Sequence, residues 1–143
     1  MTKAVLDDHL LRDLLADNPS KDLRRLLREH EPATTNLYLF RLAKSVVSAR
    51  GGALTGSWSA DQRRALGQRL VALTDEVEVI PIRILAFRMA EIAEAHRVST
   101  LGAEAVAAAE HLSAPLCVWE GDDGPGIRAA VAALGGDYRA VAR

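Results

Sequence analysis

Five short apolar runs, separated by stretches of helical spacing, constrain this chain more than any other feature. Lys3-Ala-Val-Leu6 stops at Asp7-Asp8, and Leu10, Leu11, Leu14 and Leu15 then recur on one helical face. Asn18-Pro19-Ser20 breaks that helix and caps the next, whose stripe is Leu23, Leu26 and Leu27. Pro32-Ala-Thr-Thr35 leads into a helix carrying Leu39, Leu42, Val46 and Val47. Gly51, Gly52 and Gly56 mark a loop. Ser59, with Gln62 three residues on, signals a capping box for the helix of Leu66, Leu70 and Leu73.

The alternation continues in the second half. Val77 to Ile82 is β-branched, and Pro81 makes it a short strand or one near a sheet edge. Leu85, Met89, Ile92 and His96 share a helical face, and Ser99-Thr100 caps an alanine-rich helix running to Leu112. Leu116 to Trp119 reads as a strand, followed by a loop from Gly121 to Gly126. Ile127, Ala130, Val131 and Leu134 form a short helix closed by Gly135-Gly136, and Tyr138 to Val141 makes the last strand. Strands alternating with helices predict an α/β fold: a mainly parallel, doubly wound sheet covered on both faces. Functional residues on such a sheet belong at the carboxyl ends of its strands. No linker or repeat interrupts residues 1–143, which read as a single domain.

Composition narrows the class. Cys117 is the only cysteine, which excludes an intrachain disulfide and points to a reducing, cytoplasmic setting. Asp7 and Asp8 interrupt the first apolar run, so it does not read as a signal peptide. No apolar stretch reaches the ~20 residues of a membrane span. The net charge of −1 is unevenly spread, with 12 basic and 8 acidic residues from Met1 to Val71 and 6 and 11 from Ala72 to Arg143. Arg41, Lys44, Arg50, Arg63, Arg64 and Arg69 face a single acid, Asp61, in the stretch they span. That run is a solvated pair of helices or a surface for RNA or an acidic partner.

Three stretches together resemble the PIN domain family of the VapC toxin type. Ala4-Val-Leu-Asp7 matches the opening strand and its terminal aspartate. Thr34-Thr-Asn-Leu-Tyr-Leu-Phe-Arg41-Leu42 matches a short strand, a capped helix and the helix position that carries a glutamate. Val98-Ser-Thr-Leu-Gly102 through Ala114-Pro-Leu116 follows the pattern that runs into strand four. Val79-Ile-Pro81-Ile also fits. The resemblance covers nearly the whole chain and implies a five-stranded sheet of order 3-2-1-4-5. It also implies a homodimer, and a toxin–antitoxin role with an antitoxin-like protein or RNA as partner.

In that family four carboxylates hold Mg²⁺ or Mn²⁺ and activate water to cut RNA, because a hard divalent ion requires oxygen ligands. The matching positions here are Asp7, Arg41, Gly102 and Glu120. One acid is kept, one is replaced by a cation, one is lost and one is longer by a methylene. The resemblance therefore implies a degenerate, non-catalytic domain with no cofactor. Its alternative is a remodelled metal-dependent ribonuclease using Asp7, Glu120 and Asp122, with Asp123 as a further oxygen donor. Arg41 is expected to pair with Asp7 and hold its pKa down. An aspartate restored at Gly102 is expected to cost little stability at a helix start.

Other features have simpler readings. Asp8 is expected to cap the first helix, with His9 facing solvent. His30, His96 and His111 lie near helix carboxyl ends, where a partly charged imidazole is favourable. A phosphoacceptor receiver domain would need an acid ending a middle strand and a late lysine, and neither is present. Cys117 reads as a core residue. Trp119, beside Glu120, is placed to line the groove.

Overall fold

Side-chain caps start most of the helices. The computed structural model describes residues 1–48, 52–73 and 75–143. Arg50 and Gly51, assigned above to the basic surface and to a loop, lie outside the described residues. The strands are β1 (Thr2–Leu6), β2 (His30–Thr34), β3 (Glu78–Val79), β4 (Leu116–Trp119) and β5 (Tyr138–Val141). The first four helices are α1 (Asp8–Leu15), α2 (Lys21–Glu29), α3 (Asn36–Val47) and α4 (Gly52–Thr55). They are followed by α5 (Ala60–Val71), α6 (Ile82–His96), α7 (Thr100–Leu112) and α8 (Pro125–Ala133). Ser20, Thr35 and Ser99 each accept a hydrogen bond from a backbone N–H three residues on. Ser59 and Gln62 complete the reciprocal capping box of α5.

The sheet is five-stranded and all parallel, in the order β3-β2-β1-β4-β5. Alternation along the strands sends side chains to two faces. Val5, Leu116 and Val118 pack with α6, α7 and α8, whereas Ala4, Leu6 and Cys117 pack with α1 and α2. A third cluster of Leu11, Leu15, Leu42, Leu54, Leu66 and Val77 ties α1 to α3, α4 and α5. Full burial of side chains such as Leu6, Leu10, Leu42 and Ile92 contributes roughly 1.5–3 kcal/mol each. These are the doubly wound layers that the alternation predicts. Among the described residues no helix is long and apolar enough to cross a membrane.

Several local readings change. The third strand keeps only two residues, because the chain leaves the sheet edge at Ile80 and Pro81 precedes α6 as its cap residue. Gly52 belongs to a short helix rather than a loop, and Thr55 within it is buried with its hydroxyl 2.8 Å from that of Ser45. The first helix is capped by Asp7, not Asp8: Leu10 N–H donates to Asp7 Oδ1 at 2.9 Å. The reason is the sheet. Asp7 N–H donates to Cys117 O, which holds Asp7 in extended backbone and starts the helix one residue later.

An acidic cluster at the carboxyl ends of the central strands

β1 and β4 are adjacent and parallel, so their carboxyl ends bring Asp7 beside Trp119 and the 3-10 turn Glu120–Asp122. The Asp7 carboxylate is held from both sides. Oδ1 accepts from Leu10 N–H, and Oδ2 accepts from Trp119 N–H at 3.0 Å. Asp7 is nevertheless buried, and burial raises its pKa to about 7 against the lowering effect of those two hydrogen bonds. This reverses the lowered value expected from Arg41, because Arg41 pairs elsewhere.

Arg41 Nε lies 3.3 Å from Asp8 Oδ2. It does not pair with Asp7. Asp8 occupies the first turn of α1 and is fully buried; its Oδ1 accepts from His9 N–H and lies 3.2 Å from His9 Nδ1. Its Oδ2 is buried without a hydrogen bond. His9 is also buried, against the expectation of a solvent-facing ring: it packs on Trp119 with ring centroids 4.6 Å apart. His9 Nδ1 is 3.9 Å from Asp122 Oδ2. One potential ligand atom from each of Asp7, Asp8, His9 and Asp122 falls within 4.8 Å of the others.

Of the residues singled out from the sequence, Asp7 and Asp122 come together here. Glu120 is exposed on the turn and is not part of the cluster. Asp123 is engaged by Arg128 Nη2 and by the Tyr138 hydroxyl, each at 2.7 Å. Those two donors hold its carboxyl below the usual range. Gly102 is buried in the first turn of α7, and a Cβ there would sit 3.0 Å from Ile127 Cγ1 and 3.4 Å from Val98 Cβ. An aspartate at 102 therefore requires the half-buried Ile127 side chain to shift by a few tenths of an ångström. Among the described residues the cluster holds three carboxylates, Asp7, Asp8 and Asp122, with one imidazole, His9, and Arg41 stands beside it as a cation.

Gly121 has a separate role. A Cβ at this position would lie 2.4 Å from the Trp119 ring, so only glycine lets the turn fold back over the indole. The ring in turn supports His9 and carries the Arg143 guanidinium 4.9 Å from its centroid. Cys117 is a core residue, as expected, and burial pushes its thiol up to about 12.

Glu104, Arg12 and Asp13 are buried charged residues that the sequence pattern did not single out. Glu104 lies in the fully buried stretch of α7 and accepts from Asn36 N–H, Asn36 Nδ2–H and Leu37 N–H at 3.2, 3.0 and 2.8 Å. It supplies an anion to the N-terminus of α3. A lone glutamate among Ala103, Ala105, Val106 and Ala107 was the available signal, since such an acid is rarely buried unless paired. Arg12 is buried against Asp13 and donates to Leu54 O, where leucine periodicity had drawn attention to its neighbours.

The basic run is partly neutralised. Arg64 pairs with Asp61 and Arg69 with Asp17, each at 3.2 Å, and Arg63 donates to Ser48 O at 2.9 Å. Lys44 is exposed on α3. No protein-family model matches the sequence, and no curated protein matches it.

Proposed function

We propose that this chain is a degenerate PIN-like domain, related to VapC-type toxins, that binds a protein partner rather than cutting RNA. The observation that carries the reading is the Arg41 guanidinium against buried Asp8 at the strand ends, with no carboxylate at position 41 or 102. A cation at that point repels a hard divalent ion and competes for the oxygens it needs.

The partner surface is the groove between α3 and α5. It has a volume of about 520 Å³ and an almost wholly apolar lining that includes Val46, Val47, Leu70 and Val71. Val47 and Val71 are 83% and 92% exposed. Two nearby arginines are already paired with acids, which favours apolar docking over phosphate contact. A second copy of the chain is the first occupant to test, and an antitoxin-like helix the second. The lone buried cysteine supports a cytoplasmic setting.

Incubation with labelled RNA and millimolar Mg²⁺ or Mn²⁺ is expected to leave the RNA intact. Metal-dependent cleavage that disappears in Asp7→Asn would instead establish the ribonuclease reading. Sedimentation is expected to show a dimer that Val71→Asp dissociates. A monomer that binds RNA with a steep salt dependence would move the function to the basic face.

A further inference from the structure

At the opposite end of the sheet from the acidic cluster, the loops that enter β4 and β5 meet the carboxyl ends of α7 and α8 around a cavity of about 400 Å³. We propose that this cavity binds a small organic cation, an ammonium group carried on a compact apolar body. Volumes of about 300–1,000 Å³ are typical of small-molecule sites. The floor is formed by Val106, Ala109, Ala114 and Val131, all of them buried. The space exists because the residues facing it are small. Ala109 offers only a methyl group, and Gly135-Gly136 offer no side chain. Position 136 has no room for one, since a Cβ there would lie 2.9 Å from Val131 Cγ1.

The rim sets the charge of the ligand. α7 and α8 end here, and their cap residues, Ser113 and Leu134, both line the cavity. Two helix carboxyl ends present negative potential, which favours a cation. The charged residues lining the cavity are Glu110 and Asp137, both acids. Glu110 is engaged through both oxygens by Arg88, at 2.7 and 2.9 Å. Asp137 is not saturated. Arg139 donates twice to its Oδ2, at 3.1 and 2.8 Å, while Oδ1 has no donor among the described residues. Neither arginine lines the cavity. The Ser113 hydroxyl is also without a partner among the described residues. An ammonium group carries three donors, and the rim offers it Asp137 Oδ1, the Ser113 hydroxyl and helix-end carbonyls.

Other ligands of the same shape fit less well. An anion would face two carboxylates and two negative helix ends, and a neutral molecule would fill the floor yet gain nothing from the rim. The site is independent of the acidic cluster, which lies at the carboxyl ends of β1 and β4. It stands whether or not the groove between α3 and α5 binds a partner.

The test is an amide NMR titration of the full chain with two probes that share an indole body, tryptamine and indole-3-propionate. Tryptamine is expected to saturate at millimolar concentration and to shift the amides of Ala109, Ser113, Gly135 and Gly136. Indole-3-propionate is expected to leave them in place. Asp137→Asn should weaken tryptamine binding about two- to fivefold, and Asp61→Asn on α5 should leave it unchanged. Ala109→Leu fills the floor and should abolish it. Asp137 is exposed, so its variant decides the matter even if Ala109→Leu fails to fold. The absence of saturable shifts with tryptamine overturns the proposal, as do shifts confined to another part of the chain. So does indole-3-propionate binding as tightly as tryptamine, or unchanged tryptamine affinity in Asp137→Asn.

Discussion

Removal of the Glu104 carboxylate should destabilise this domain more than the loss of an exposed ion pair on the same helix. Glu104 is fully buried and is the acceptor for Asn36 N–H, Asn36 Nδ2–H and Leu37 N–H. Asn36 Nδ2–H has a second acceptor in Ile80 O at 2.7 Å, so the two backbone donors dominate the cost. In Glu104→Ala each backbone donor left unpaired at this half-buried helix start costs about 1–3 kcal/mol. Loss of the anion at the helix start adds roughly 0.3–1 kcal/mol. The expected total is about 4 kcal/mol, a large share of a typical stability of 5–15 kcal/mol. For a domain of this size that corresponds to a melting temperature lower by roughly 10–15 °C. Glu104→Gln keeps one oxygen for Leu37 N–H but turns an amide nitrogen toward the Asn36 donors, so it should lose about 2 kcal/mol. The control is Glu110→Gln. Glu110 makes a two-pronged pair with Arg88 at 2.7 and 2.9 Å on the exposed face of α7, worth no more than about 1 kcal/mol. Urea melts of the three variants should rank Glu104→Ala, Glu104→Gln, Glu110→Gln from largest loss to smallest. A Glu104→Ala protein within 1 kcal/mol of wild type would refute the assignment of Glu104 as the staple between α7 and α3.

Three other measurements follow from the same structure. Because burial raises Asp7 to about 7, its folded value lies above its unfolded value near 3.9, so its contribution is fully present below pH 4. That contribution should fall by about 1.4 kcal/mol per pH unit up to about pH 7 in metal-free protein. Asp7→Asn should remove this part of the slope in pH-dependent melts, while Asp13, also raised by burial, keeps its own. Arg12→Ala strands the buried Asp13 carboxylate with only Arg143 as counter-charge, and should cost about 3–5 kcal/mol by chemical denaturation. Gly121→Ala places a methyl against the Trp119 indole and should cost about 1–3 kcal/mol, with a shift in tryptophan emission. Unchanged emission and stability would show that the turn relaxes freely.

The elements of this fold were legible because their signals are local. Caps at Ser20, Thr35, Ser59 and Ser99 act on N–H groups three residues away, and leucine periodicity spans a few turns. The place of Asp7 at a strand end was legible on the same ground. The order of the strands was not, because apolar runs identify strands without identifying neighbours; that order came with the family resemblance. The site depended on distant pairings. Trp119 N–H reaches Asp7 across 112 positions, and Glu104 reaches Asn36 across 68. No periodicity encodes such a contact. The sharpest case is the adjacent pair Asp7 and Asp8. Successive residues on a helix differ in direction by about 100°, so a start shifted by one residue exchanges the carboxylate that caps for the one that meets Arg41. That start is set by the Asp7 N–H bond to Cys117 O across β1 and β4. Composition and spacing placed the acids at the strand end, and the pairing of two strands far apart in sequence decided which way each one faces.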